Sequence, residues 1–422
     1  MDRSDIVVIG GGAAGLAAAI FAAEVARADQ RALTIAVLDT AAKIGAKMLI
    51  SGGGRCNVTH EVVRPEDFNG ARNIVRNVLA AFDVSATVRW FAALGVPLKR
   101  EDSGKLFPVS DSARSVVDAL LRRCDELAVA VRAHHRVHDL RVIDREGAPR
   151  FAIEHTRGTL QARCVIMATG GRSLARTGSD GSGWEIVRRV GHTVTETFPA
   201  LVPLVLARAM FHAELSGISH AVELSTFADG KLVDRRAGSL LWTHFGISGP
   251  VVLDASRHWC AARTRGADAT MRCNFLPGRA FEVVERDVIE IATTRPRLSI
   301  GRWLSEQLPE RAALALVRAA GVDSALPIAR LTRDQRRGLV HVVAEFALAI
   351  ERDRGWDYAE VTAGGVPLSE IDYRTMASRR VPGLYLIGEM LDCDGRIGGF
   401  NFQWAWATGY VAGRAAAAKI FI

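Results

Sequence analysis

Four apolar residues, Ile6-Val7-Val8-Ile9, run straight into Gly10-Gly11-Gly12-Ala13-Ala14-Gly15, and that junction constrains the fold more than any other feature of the chain. The β-branched run suits a parallel strand buried on both faces, and the turn that follows reads G-x-G-x-x-G. Gly10 permits the tight turn, Gly12 lets backbone approach a pyrophosphate, and Gly15 lets the next helix, Leu16 to about Arg27, pack closely on the strand. The helix start, with the amides of Ala13 and Ala14, then faces the anion. A second strand, Leu33 to Leu38, ends in Asp39, 24 residues after Gly15, where a carboxylate accepts from the adenosine ribose hydroxyls. The context predicts a dinucleotide site on a Rossmann-like, doubly wound α/β sheet.

The next segment separates FAD from NAD. Lys43-Ile44-Gly45-Ala46-Lys47 leads into Ser51-Gly52-Gly53-Gly54-Arg55-Cys56-Asn57, a second glycine-rich, cationic loop. A nicotinamide site needs no such loop. A flavin needs backbone close to its rings and polar groups around its pyrimidine, which Lys47, Ser51, Gly53, Gly54, Arg55, Cys56 and Asn57 would supply. The bland alternative is a structural turn.

Further along, Ser112 to Ala128 reads as an amphipathic helix behind an Asp111/Ser112 cap. Val129 to Val142 alternates like a strand, with Val137 offering main-chain groups to the adenine and His134, His135 and His138 on its surface. Cys164 to Met167 is a third buried strand, delivering Thr169 and Gly170 to the carboxyl edge of the sheet, where ligands bind. Near the C-terminus, Gly383 to Ile387 is again a strand, followed by Gly388 and Glu389, whose carboxylate suits a ribityl hydroxyl. Gly399, Phe400 and Asn401 precede a long helix from about Phe402 to Lys419, whose positive end suits the flavin edge that gains charge on reduction. Gly409 and Gly413 read as close-packing positions, and Trp404 and Trp406 as core.

Composition narrows the class. With 422 residues, 49% hydrophobic and 24% charged, the chain is globular, and at about 150 residues per domain it should form two or three. Six cysteines never occur as C-x-x-C, which predicts neither zinc nor disulfides and a reducing cytoplasm. The uncharged stretch from Ile6 is broken by three glycines and lacks the flanks of a signal or anchor, so no membrane segment is expected. Of the net charge of +8, Arg257 to Arg337 holds 15 Arg and no Lys against 9 Asp and Glu, a local excess of +6 that makes RNA a candidate partner beside a small-molecule substrate. The chain has only 6 Lys in all, so a general preference for Arg is the bland reading of that run.

These residues together resemble the BaiN-like, or aminoacetone oxidase family, FAD-binding flavoproteins of the glutathione-reductase-type fold. The likeness runs through Gly10 to Gly15, Gly45-x-Lys47 with Ser51 to Asn57, Gly104-Lys105-x-Phe107-Pro108, Ala168-Thr-Gly-Gly171, Pro199-Ala-Leu-Val-Pro203, Thr243 to Pro250, Thr362-Ala-Gly-Gly-Val366 and Gly388 through Trp404. It implies a discontinuous FAD domain, 1–195 with 355–422, around an insert, with Ser51 to Asn57 and Gly398 to Asn401 bordering the isoalloxazine. The family usually has Thr-Gly-Gly-Tyr-Asn where this chain has Ile397 to Asn401, and a cation where Ala46 stands. Alternating Val, Leu and Thr from Pro199 to about Leu276 suggest an antiparallel β-barrel or sandwich (196–280), and Glu306 to Arg352 reads helical (281–354). His244 reads as a hydrogen-bonded structural residue, with a substrate-facing role as the alternative.

No second G-x-G-x-x-G follows a strand, and no C-x-x-x-x-C pair occurs, which excludes a disulfide reductase with its own nicotinamide domain. The preferred expectation, from the activities of the family, is NAD(P)H-driven reduction of a C=C bond conjugated to a carbonyl. Uridine reduction in ribosomal RNA, amine or alcohol oxidation by O2, and a non-enzymatic redox sensor are the alternatives. Arg55, Asn57 and Asn401 are the candidates for holding the flavin pyrimidine or a substrate carbonyl. Cys56 and Cys393 read as packing residues.

Overall fold

A computed structural model describes residues 2–143 and 150–421. The chain divides into two compact units, 1–197 with 361–422, and 198–360.

The first unit is built around β1 (Asp2–Ile9), which pairs in parallel with β2 (Ile35–Leu38) on one side and β3 (Gly158–Met167) on the other. Ile6, Val7 and Val8 are wholly buried, as a central parallel strand requires. Strand β4 (Leu384–Leu386) adds in parallel to β3. Helix α1 (Ala13–Ala28) follows the glycine turn and is Ala-rich because the C-terminal helix lies against it. A Cβ on Gly409 would stand 2.7 Å from the Ala14 carbonyl oxygen, and one on Gly413 would stand 2.3 Å from that of Ala18. Trp404 and Trp406 are core residues, 1% and 0% exposed.

The expected strand Val129 to Val142 is two strands. Ala130–Arg132 joins β2 in parallel, whereas Val137–Val142 pairs antiparallel with Phe151–His155. His134 causes the break: its φ of 59° turns the chain in the left-handed region, so it lies in a turn with Ala133, His135 follows outside any strand, and of the three only His138 is on a strand. Ser112 takes the N-cap position of the helix Ala113–Glu126, but its side chain makes no cap bond.

The second unit carries a seven-stranded sheet in the order Phe346–Leu348, Ala269–Asn274, Ser219–Ala228, Lys231–Thr243, Gly246–Ser248, Leu204–Leu206, Ile350–Asp353, antiparallel throughout. Its two edge strands are separated in the chain by Ala349 alone, so the sheet must curl until its edges approach, a barrel-like form. Position 280 therefore does not part sheet from helix. Pro250–Thr264 is a helix within the expected β segment, and Phe346–Leu348 and Ile350–Asp353 are strands within the expected helical one. Their short apolar runs fit either period, and only the sheet edge they complete decides between them. The unit as a whole has 21 Arg and Lys against 19 Asp and Glu, a net +2, so flanking acids offset the Arg-rich run. Among the described residues no helix is long and apolar enough to cross a membrane, and no group of three or more His, Cys, Asp or Glu could hold a metal ion.

Candidate active site

The turn from β1 to α1 is held by the chain's own backbone. A Cβ on Gly10 would lie 2.2 Å from the Ala168 carbonyl oxygen, and one on Gly15 would lie 1.9 Å from that of Gly10. At Gly12, by contrast, no atom lies within 4 Å of the Cβ position, and α1 has no side-chain cap there. The Gly11 N–H donates to Asp39 Oδ2 (2.5 Å) and the Ala41 N–H to Oδ1 (2.7 Å), while burial pushes the Asp39 carboxyl up. Asp39 thus stands at the end of β2, beside the turn, as its spacing predicts. Val137 opens its strand opposite His155 and is buried.

Helix α2 (Ala46–Ile50) hangs from the same turn, because the Gly45 N–H donates to the Gly11 carbonyl (3.2 Å). After it, Gly52, Gly53, Gly54 and Cys56 all have positive φ, from 55° to 84°. Nothing lies within 4 Å of the Cβ position at Gly53. Ser51 Oγ donates to the Met48 carbonyl (2.7 Å). Cys56 is wholly buried, its thiol pushed up to about 12 by burial, so it is no reactive thiolate, and Cys393 is buried too; both pack as expected. Asn57 is buried, and its Oδ1 has no partner among the described residues.

The structure revises two of the three candidate polar side chains. The Arg55 guanidinium donates to Glu101 (2.6 Å) and lies 4.0 Å over the Phe107 ring, so it fastens the loop to the strand Lys105–Pro108. Asn401 spends its amide on the chain: Oδ1 accepts from the Gly395 N–H (2.8 Å) and Nδ2 donates to the Gly395 carbonyl (2.9 Å). It closes the loop before helix α3 (Phe400–Phe421), which begins two residues earlier than its pattern suggests. Of the three, Asn57 alone retains an unused acceptor. Gly399 lies against Thr59, where a Cβ would stand 2.6 Å from backbone carbon, and Phe400 stacks on His60 at 4.9 Å.

Glu389 is held differently from its expected use. Oε2 accepts from Lys47 Nζ (2.6 Å), and Oε1 accepts from Ser173 Oγ (3.0 Å) and the Thr362 N–H (2.9 Å). Lys47 also donates to Ser173 Oγ (2.8 Å). Gly388 lies against α1, where a Cβ would stand 2.9 Å from that of Ala14. Thr169 Oγ1 is buried without a partner at the end of β3, and a Cβ on Gly170 would meet Ser179 Oγ at 2.6 Å. Ser173 and Thr362 are the members that spacing alone misses. The Ala168-Thr-Gly-Gly and Thr362-Ala-Gly-Gly blocks were the available signal. His244 is exposed in a turn of the second unit.

A dinucleotide with a flavin fits these residues, given open backbone at Gly12 and Gly53, an uncapped helix start and buried, unpartnered oxygens on Asn57 and Thr169. The family model described as "HI0933-like protein Rossmann domain" matches residues 4–415. The chain belongs to the HI0933-like family. It is 34% identical over 415 residues to the 3-dehydro-bile acid delta(4,6)-reductase of Clostridium scindens, covering 98% of this chain and 99% of that one. It is 30% identical over 409 residues to the ribosomal RNA dihydrouridine synthase of Haemophilus influenzae, covering 96% and 97%. In fold it is similar to a 3-ketosteroid delta1-dehydrogenase from Sterolibacterium denitrificans, with a TM-score of 0.52 at 13% identity over 99% of this chain and 100% of that one. This HI0933-like chain is an FAD-dependent oxidoreductase.

Proposed function

We propose that the protein uses electrons from NAD(P)H to reduce a C=C bond conjugated to a carbonyl. One observation carries the reading. Two relatives matched from end to end are named for substrates as unlike as a bile acid and ribosomal RNA, yet a 3-dehydro-delta(4,6) steroid acid and uridine share that bond type. Overall the substrate gains a hydride at one carbon and a proton at the other, and NAD(P)H becomes NAD(P)+. Bound FAD would carry the hydride between them.

The chain's own residues do the holding. Gly10, Gly12, Ala13, Ala14 and Gly15 present backbone to the pyrophosphate, and Asp39 and Val137 serve the adenosine. Thr169, Gly170 and Gly388 serve the ribityl chain, with Lys47 and Glu389 held as an ion pair beside it. Ser51, Gly53, Gly54, Cys56, Gly399 and Phe400 border the rings, with Arg55 and Asn401 fixing the loops on either side. Asn57, with its unused acceptor, orients the pyrimidine edge or the substrate amide. The six cysteines are all buried, which favours direct hydride transfer over a thiol relay.

Uridine in RNA is the second reading, favoured by the name of the second relative. The net +2 of the unit 198–360 argues against that unit as a broad docking face for phosphates. The test is anaerobic incubation with NADPH or NADH and two acceptor sets, cyclic enones and uridine-containing RNA. The proposal expects a product two hydrogens heavier, formed one for one with nucleotide oxidised. Turnover with O2 alone, giving peroxide and an oxidised amine or alcohol, would replace it with an oxidase.

A further inference from the structure

Lys47 and Glu389 are 342 positions apart, yet their charged groups stand 2.6 Å from each other, with side chains 26% and 20% exposed. Both hang from the dinucleotide turn. Lys47 lies two residues after Gly45, which is bonded to Gly11, and Glu389 follows Gly388, which packs on Ala14. The pair is tethered as well as close. Ser173, wholly buried, donates to Glu389 and accepts from Lys47, and the Thr362 hydroxyl accepts from the Arg172 and Ser173 amides (2.8 and 3.1 Å) while its own amide reaches Glu389. Four chain segments therefore converge to hold one positive and one negative charge at fixed places beside the cradle.

We infer that the two charges of this pair act in opposite directions on the reduction potential of the bound flavin and balance there, with Lys47 favouring the reduced, anionic ring, Glu389 opposing it, and Ser173 and Thr362 as positioning residues. The inference rests on the FAD reading of the same cradle. Reduction places a negative charge on the ring system, and a partly buried cation is screened far less than one in water. A neutral pair leaves that balance near zero, and removing either partner exposes the other's charge to the flavin. This predicts shifts of opposite sign, which a merely structural pair would not produce.

The test is the midpoint potential of the FAD-loaded protein, read by equilibration with redox dyes, together with the FAD dissociation constant. Lys47→Met is expected to lower the potential and Glu389→Gln to raise it, each by a roughly tenfold change in the ratio of affinities for reduced and oxidised flavin. The double variant should return close to wild type. Ser173→Ala keeps both charges, so it should weaken FAD binding while leaving the potential nearly unchanged. Shifts of the same sign, no shift in either single variant, or a Ser173→Ala shift as large as theirs would overturn the inference while FAD binding stands. A wild-type protein that takes up no FAD would instead overturn the cofactor reading itself, and this one with it.

Discussion

The two glycine-rich segments of the cradle look alike in sequence and are glycine for opposite reasons. In Gly10 to Gly15 the constraint is space: Gly15 has a backbone oxygen 1.9 Å from where its Cβ would be. In Ser51 to Asn57 it is dihedral: Gly53 has nothing within 4 Å but a φ of 69°. The first segment is closed at Gly10 and Gly15 by the strand and helix it joins, and the second is open at Gly53, while Gly52 lies against Phe107. Gly12 is the exception that links them, an open position in the closed segment, with a φ of −83° that any residue can adopt.

The contrast can be broken by substitution. Gly15→Val should have the largest effect, more than ~3 kcal/mol, because strand and helix must separate to admit the side chain; loss of soluble protein or a collapse of Tm would register it. Gly12→Val should leave the apoprotein's Tm within a few degrees of wild type and weaken FAD binding at least roughly tenfold, since the space it fills belongs to the ligand. If Gly12→Val unfolds the protein, the turn is closed at Gly12 as well and the contrast fails. Gly53→Ala should lose about 1–2 kcal/mol in urea unfolding from its left-handed backbone. The smallest effect should come from Arg55→Ala, at most about 1 kcal/mol, because its bond to Glu101 is partly exposed; flavin absorbance close to wild type would confirm that it fastens the loop and does not touch the ring.

What the sequence made legible follows the same division. The strand, turn, helix and acid of the first segment are local and periodic, so Ile6 to Asp39 could be read with only small errors in the boundaries. The break at His134 could not, because a non-glycine left-handed residue carries no composition signal. Nor could the strands Phe346–Leu348 and Ile350–Asp353, three and four residues long, whose identity is decided by a sheet edge far away in sequence. In the candidate site the glycines were legible and the polar partners were not. Arg55 and Asn401 looked free because Glu101 and the Gly395 backbone that occupy them are matters of tertiary contact. The tether of Glu389 draws on residues 47, 173 and 362, which no spacing connects.

The most direct test of the central claim is an anaerobic stopped-flow record near 450 nm of the FAD-loaded protein mixed with NADPH or NADH, then with a cyclic enone, and separately with air. The account predicts bleaching by a nicotinamide nucleotide and recovery of absorbance that is faster with the enone than with air. Failure of both nucleotides to bleach the flavin, or recovery driven by air and indifferent to the enone, would contradict it.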